Sequence, residues 1–204
     1  MDIHESARHL GAISDEVSRE LAENGLEYHC IHGSALLTRV LHQIGFPDAY
    51  PLTVGVRIFN SPYQQWAERH GSPEDEAAAK ACGDYGGAAI LLGKGTEGMV
   101  PEERWAGHLV VIVPGAFDDR HALLDLTIVQ AHKPDWGIEL QPLCLRVSDQ
   151  FVSGRIPYKG RVNGSLLIYD AYPNDHSYND DGDWMAITGL DEATSSVVRR
   201  LTSR

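Results

Sequence analysis

Apolar residues return at helical spacing near the start of the chain. Leu10, Ile13, Val17 and Leu21 follow one another at steps of three and four, which predicts an amphipathic helix over residues 4–23 that Asn24-Gly25 stops. A second helix is expected over residues 30–44. There Ala35, Leu36, Leu37, Val40, Leu41 and Ile44 form a broad apolar face, and Gly45 ends it. The period then changes to two: Leu52, Val54, Val56 and Ile58 alternate as in a half-buried strand. Residues 62–82 read as helix in two pieces, divided by Gly71-Ser72-Pro73, and 88–92 as a short apolar strand. Two strong strands are expected at His108 to Val113 and Ala122 to Val129. The segment 114–120, from Pro114 to Arg120, joins them as a hairpin. Leu140 to Val147 and Gly164 to Tyr169 complete the strands. Residues 171–183 are polar and turn-rich, and Asp191 to Leu201 reads as a closing helix.

This order, helices first and then mostly neighbouring strands, predicts an α+β fold with N-terminal helices packed on a mainly antiparallel sheet. No repeat or long linker divides the chain, so one domain over residues 1–204 is expected.

Charge narrows the partners. Seventeen basic residues against 29 acidic ones leave a net charge of −12. Such a chain repels nucleic acid and anionic membranes unless it carries a local basic face. The densest basic spots are only Arg199-Arg200 and Lys159-Gly160-Arg161. No stretch approaches the ~20 apolar residues of a membrane helix. The start, Met1-Asp2-Ile3-His4-Glu5, lacks the basic and then apolar run of a signal peptide, so a cytoplasmic protein is expected.

The three cysteines, Cys30, Cys82 and Cys144, are odd in number and widely spaced, unlike a disulfide framework or a zinc site. Cys30 stands out because it opens the predicted 30–44 helix. Free backbone N–H groups and the helix dipole favour an anion there, and the same N–H groups can hold a developing oxyanion. Its neighbours Tyr28-His29 and His32-Gly33-Ser34 are polar or small, although a free cysteine is often just a small apolar residue. Among ten histidines, His108 has a distinctive setting at the head of Gly107-His108-Leu109-Val110-Val111-Ile112-Val113. Asp125, inside Leu123-Leu124-Asp125-Leu126-Thr127, is a charge in an apolar strand and needs a partner. His108 and Asp125 are equidistant from the middle of the predicted turn. A hairpin without a bulge sets them directly opposite one another. Cys30 as nucleophile, His108 as base and Asp125 as orienting group form the expected triad.

A helix-borne cysteine, then Gly-His-Leu-Val-Val, then Leu-Leu-Asp-Leu-Thr-Ile-Val-Gln, resembles the transglutaminase-like and arylamine N-acetyltransferase branch of the papain-like cysteine enzymes. The likeness runs over about residues 24–130. It implies a papain-like/transglutaminase-like core and acyl chemistry on an amide or ester through a thioester. A protein side chain or peptide is among the possible substrates, and no metal or organic cofactor is required. In that group the histidine sits in a His-aromatic or His-Ala-Trp context; here Leu109 follows it. Papain-like enzymes often carry a glutamine six residues before the cysteine as oxyanion donor. That position is Asn24, which reads equally as a helix stop. Tyr28 is an alternative donor, Trp105 a candidate pocket wall, and Gln130 closes the most familiar segment.

Other signals have plainer readings. Gly93-Lys94-Gly95-Thr96-Glu97-Gly98 matches G-x-G-x-x-G, yet Pro101 and the next strand leave no room for the helix a dinucleotide needs. It reads as a loop beside the site. His29, Cys30 and His32 are too close in sequence to converge on one metal ion. Asp175, Asp180, Asp181 and Asp183 miss the calcium-loop spacing and read as a solvated acidic loop. The competing functional class is a non-catalytic protein-binding domain that retains the fold.

Overall fold

The structure is a computed structural model that describes residues 3–26, 28–94, 107–180 and 189–203. Helix α1 (Ile3–Glu23) presents Leu10, Ile13, Val17 and Leu21 to the core, all nearly or fully buried. Each contributes about 1.5–3 kcal/mol by leaving water. The helix ends in a Schellman turn. Gly25 takes φ 69°, the Leu26 N–H donates to the Leu21 carbonyl at 2.8 Å, and the Gly25 N–H donates to Ala22 at 3.1 Å. Only a few residues then separate α1 from α2 (Cys30–Gln43).

Next come β1 (Tyr50–Phe59), α3 (Ser61–His70), α4 (Glu76–Asp84), β2 (Ala89–Gly93), β3 (His108–Phe117) and β4 (Arg120–Asp125). After two 3-10 turns follow β5 (Leu143–Val147), the one-turn α5 (Asp149–Val152), β6 (Tyr158–Val162), β7 (Ser165–Ala171) and α6 (Leu190–Thr202). Every strand pairing is antiparallel, in the order β5-β4-β3-β1-β7-β6. Strand β2 also lies on β1, end to end with β3: Gly93 pairs with Gly55, and His108 with Val54, the next residue of β1. The α+β architecture with helices on a mainly antiparallel sheet is therefore present.

Alternation along β3 builds two cores. Val111 and Val113 face α1, α2 and α6, together with Leu124 of β4. Val110 and Ile112 face the other way, with Leu123, Leu167 and Tyr169, under the 3-10 turns and α5. On that second face His108 and Asp125 share the parity of Val110 and Leu123.

Several boundaries differ from expectation. Strand β4 stops at Asp125 instead of Val129, because Ile128–Ala131 turns into a 3-10 helix. Strand β5 begins at Leu143, not Leu140. The hairpin turn is confined to Asp118-Asp119, with Asp118 at φ 52°, and the segment read as turn is mostly strand. Strand β6 and helix α5 had no clear signal. Asp175 is not a solvated acid: its carboxylate meets Lys94 Nζ at 2.7 Å and is largely covered. No helix among the described residues is long and apolar enough to cross a membrane.

Candidate active site

Local structure places Cys30. The tight exit from α1 and a turn in which the His29 N–H donates to Leu26 at 3.0 Å deliver it as the first residue of α2, partly exposed. His29 precedes it with extended backbone and no side-chain cap. That end of the helix thus lacks the usual side-chain acceptor for its first N–H groups. One turn later the buried Ser34 hydroxyl donates to the Leu109 carbonyl at 2.9 Å, fastening α2 to β3 beside His108. Gly33 allows the approach: a Cβ there would stand 3.1 Å from Thr127 Cγ2.

His108 opens β3 and is 1% exposed, and Asp125 closes β4 and is fully buried. They are not directly opposite. Val111 pairs with Leu124 and Ile112 with Leu123, so the register continued sets Val110 across from Asp125. The turn at Asp118-Asp119 falls two residues later than expected, and the bulge between Val113 and Phe117 brings the register partly back, leaving an offset of two. That is an even number, so both side chains stay on one face as diagonal neighbours. The pair still closes: His108 Nε2 lies 2.9 Å from Asp125 Oδ2.

The same oxygen takes a second donor. The hydroxyl of the fully buried Tyr169, on β7, donates to Asp125 Oδ2 at 2.9 Å. On the other side of the imidazole, Gln130 Nε2 lies 3.1 Å from His108 Nδ1. The 3-10 turn Ile128–Ala131 carries Gln130 there immediately after Asp125. Since a carboxylate only accepts, His108 Nε2 holds a proton, and Nδ1 is the nitrogen left to exchange one.

Electrostatics join Cys30 to this group. Burial alone lowers the His108 pKa. The charge and hydrogen bond of Asp125, aided by a hydrogen bond and charge from Cys30, outweigh that and push it up to about 10. Burial pushes the Tyr169 phenol well above its ordinary value, so it remains a donor. The other two cysteines sit elsewhere: Cys82 is buried near Gly87, and Cys144 pairs with Leu124 in β5. Burial raises both thiols, Cys144 to about 11.

The remaining candidates divide. Gln130 belongs to the cluster. Asn24 turns its amide back on its own helix, donating to the Glu20 carbonyl at 2.8 Å. With His32 and Leu190 it lines a cavity of about 330 Å³ between α1, α2 and α6. Tyr28 is 60% exposed and points into solvent two residues before Cys30. Trp105 lies outside the described residues. So does most of the glycine run 93–98, of which Gly93 and Lys94 are described. His29 and His32 stack edge to face at 5.5 Å, and no group of three His, Cys, Asp or Glu is arranged to hold a metal ion among the described residues.

Reading residues one at a time misses two contributors, Tyr169 and Gly93. In Leu167–Tyr169 the tyrosine reads as ordinary strand packing, and Gly93 as a loop glycine. An unmatched buried carboxylate at Asp125, asking for a second donor, is the signal that leads to Tyr169. The chain matches no protein-family model, no curated protein and no solved structure.

Proposed function

We propose that this chain is a thiol-dependent hydrolase or acyl transferase, of papain-like or transglutaminase-like architecture, acting on an amide or ester carbonyl. The observation that carries this reading is the His108 ring, held at Nε2 by the buried Asp125 and in electrostatic contact with Cys30. Two other cysteines share no such neighbour among the described residues.

The proton of Cys30 rests on His108 Nδ1, completing the imidazolium that Asp125 sustains, and the sulfur attacks the carbonyl carbon. A carbon–sulfur bond forms, and the carbonyl electrons move onto oxygen. The Cys30 backbone N–H at the uncapped start of α2 and the Gln130 amide are the donors placed to receive that oxyanion. Collapse breaks the bond to the leaving amine or alcohol, which takes the His108 proton. Water or an amine, activated by the same imidazole, releases the acyl group from the thioester. Asp125 keeps the ring in the working tautomer throughout. A peptide or protein side chain is among the carbonyl donors this chemistry accepts, and the steps need no cofactor.

Incubation with p-nitrophenyl acetate tests the reading. An acetyl adduct on Cys30, located by peptide mass spectrometry, with release of p-nitrophenolate, is expected. Cys30→Ala abolishes both while leaving the fold intact. Unchanged p-nitrophenolate release by Cys30→Ala contradicts the role of Cys30 and leaves a binding domain as the better description.

A further inference from the structure

We infer that Tyr169 is a positioning residue of this site, fixing which oxygen of Asp125 faces His108. The inference rests on the thiol-enzyme reading above. Strand order separates β7 from β4 by β1 and β3, yet the Tyr169 hydroxyl reaches Asp125 Oδ2 at 2.9 Å. Tyr169, Asp125 and His108 meet on one face of the sheet, the face that also carries Val110 and Leu123. Both donors, His108 Nε2 and the Tyr169 hydroxyl, converge on Oδ2, while the buried Oδ1 has no partner among the described residues. A carboxylate held by one donor can swing its two oxygens past the ring. A second donor from a fixed direction selects one of them and with it the angle at which the imidazole is gripped. The groups facing this point are Asp125 from β4, Cys30 from α2, and Tyr158 from β6. The Tyr158 ring packs edge-on to Tyr169 with centroids 6.2 Å apart.

The experiment uses the full chain as wild type, Tyr169→Phe, Asp125→Asn and the double variant, with Tyr158→Phe as control. Two quantities are read: the rate of Cys30 acylation by p-nitrophenyl acetate at neutral pH, and the His108 ring titration by NMR. Tyr169→Phe is expected to slow acylation about tenfold and to lower the His108 titration by about one pH unit, since a loosened carboxylate grips the imidazolium less well. Tyr158→Phe changes neither. In the Asp125→Asn background the phenol has no carboxylate to hold, so adding Tyr169→Phe has no further effect on either quantity. That pair also keeps the test open if the carboxylate stripped of its phenol prevents folding, because the amide is neutral. A wild type that forms no acyl adduct on Cys30 sinks the thiol-enzyme reading itself. A wild type that acylates, with a folded Tyr169→Phe matching it in rate and titration, overturns this inference alone. So does a further loss in the Asp125→Asn background, which marks a role in packing.

Discussion

Gly93 and His108 are in steric contact across the junction of β2 and β3. A Cβ built on Gly93 would stand 2.6 Å from the His108 backbone nitrogen and 2.7 Å from its Cβ, and Gly93 adopts φ 75°. The neighbour is backbone, so it has little freedom to yield. Gly93→Ala is expected to destabilise the fold by about 1–3 kcal/mol and to displace His108 from Asp125. Urea denaturation reads the first effect, and loss of Cys30 acylation the second. An alanine variant with wild-type values on both would mean the junction relaxes freely.

Ser34→Ala removes the buried side-chain hydrogen bond from α2 to the Leu109 carbonyl, next to His108 on β3. A loss of about 1 kcal/mol is expected for the buried hydrogen bond. The more telling effect is on chemistry. Cys30, one turn away, is expected to acylate several-fold more slowly while the secondary structure, followed by circular dichroism, is unchanged.

Stability is expected to fall with rising pH over a defined window. The folded His108 titrates at about 10 against an ordinary value of 6.5. Between those values the folded chain binds the proton that the unfolded chain has released. The contribution is fully present below about pH 6.5 and is lost as pH rises through about 10. Denaturant midpoints measured across that range report the slope. Asp125→Asn, which removes the charge that sustains the shift, flattens it.

The helical layer gives a control remote from this chemistry. Glu16 is 1% exposed and is met by Arg200 Nε at 3.0 Å and Arg19 Nη1 at 2.9 Å, while Arg200 Nη2 reaches Glu20 at 2.7 Å. Arg200 thus ties α6 to α1. Arg200→Met is expected to cost about 2 kcal/mol. This is less than a fully broken buried pair, because Arg19 stays on Glu16 and Arg200 is itself partly exposed. Thermal denaturation reads the loss, and Cys30 acylation at temperatures below the transition is expected to stay at the wild-type rate.

Much of the fold can be read from periodicity. The spacing Leu10, Ile13, Val17 and Leu21 marks α1, and Asn24-Gly25 marks its end, because helical burial and a left-handed stop are local properties. Cys30 at a helix start and Asp125 in an apolar strand are legible for the same reason. Strand β6 is not: Tyr158-Lys-Gly-Arg-Val has few apolar residues, and pairing along β7 forms it. Neither is the β3–β4 register: the turn falls at Asp118-Asp119, two residues beyond the midpoint expected, and a bulge near Pro114 to Phe117 then shifts the pairing. Tyr169 belongs to the same class. Its bond to Asp125 exists only after four strands are assembled side by side, a relation that no spacing along the chain encodes.

The central claim is that Cys30 and His108 act as one chemical unit, and the rate of Cys30 alkylation by iodoacetamide at neutral pH tests it most directly. With peptide mapping to separate the three cysteines, Cys30 is expected to react much faster than Cys82 and Cys144 in the wild type, and at least about tenfold more slowly in His108→Asn. A Cys30 rate that is the same with and without the imidazole, in folded protein, contradicts it.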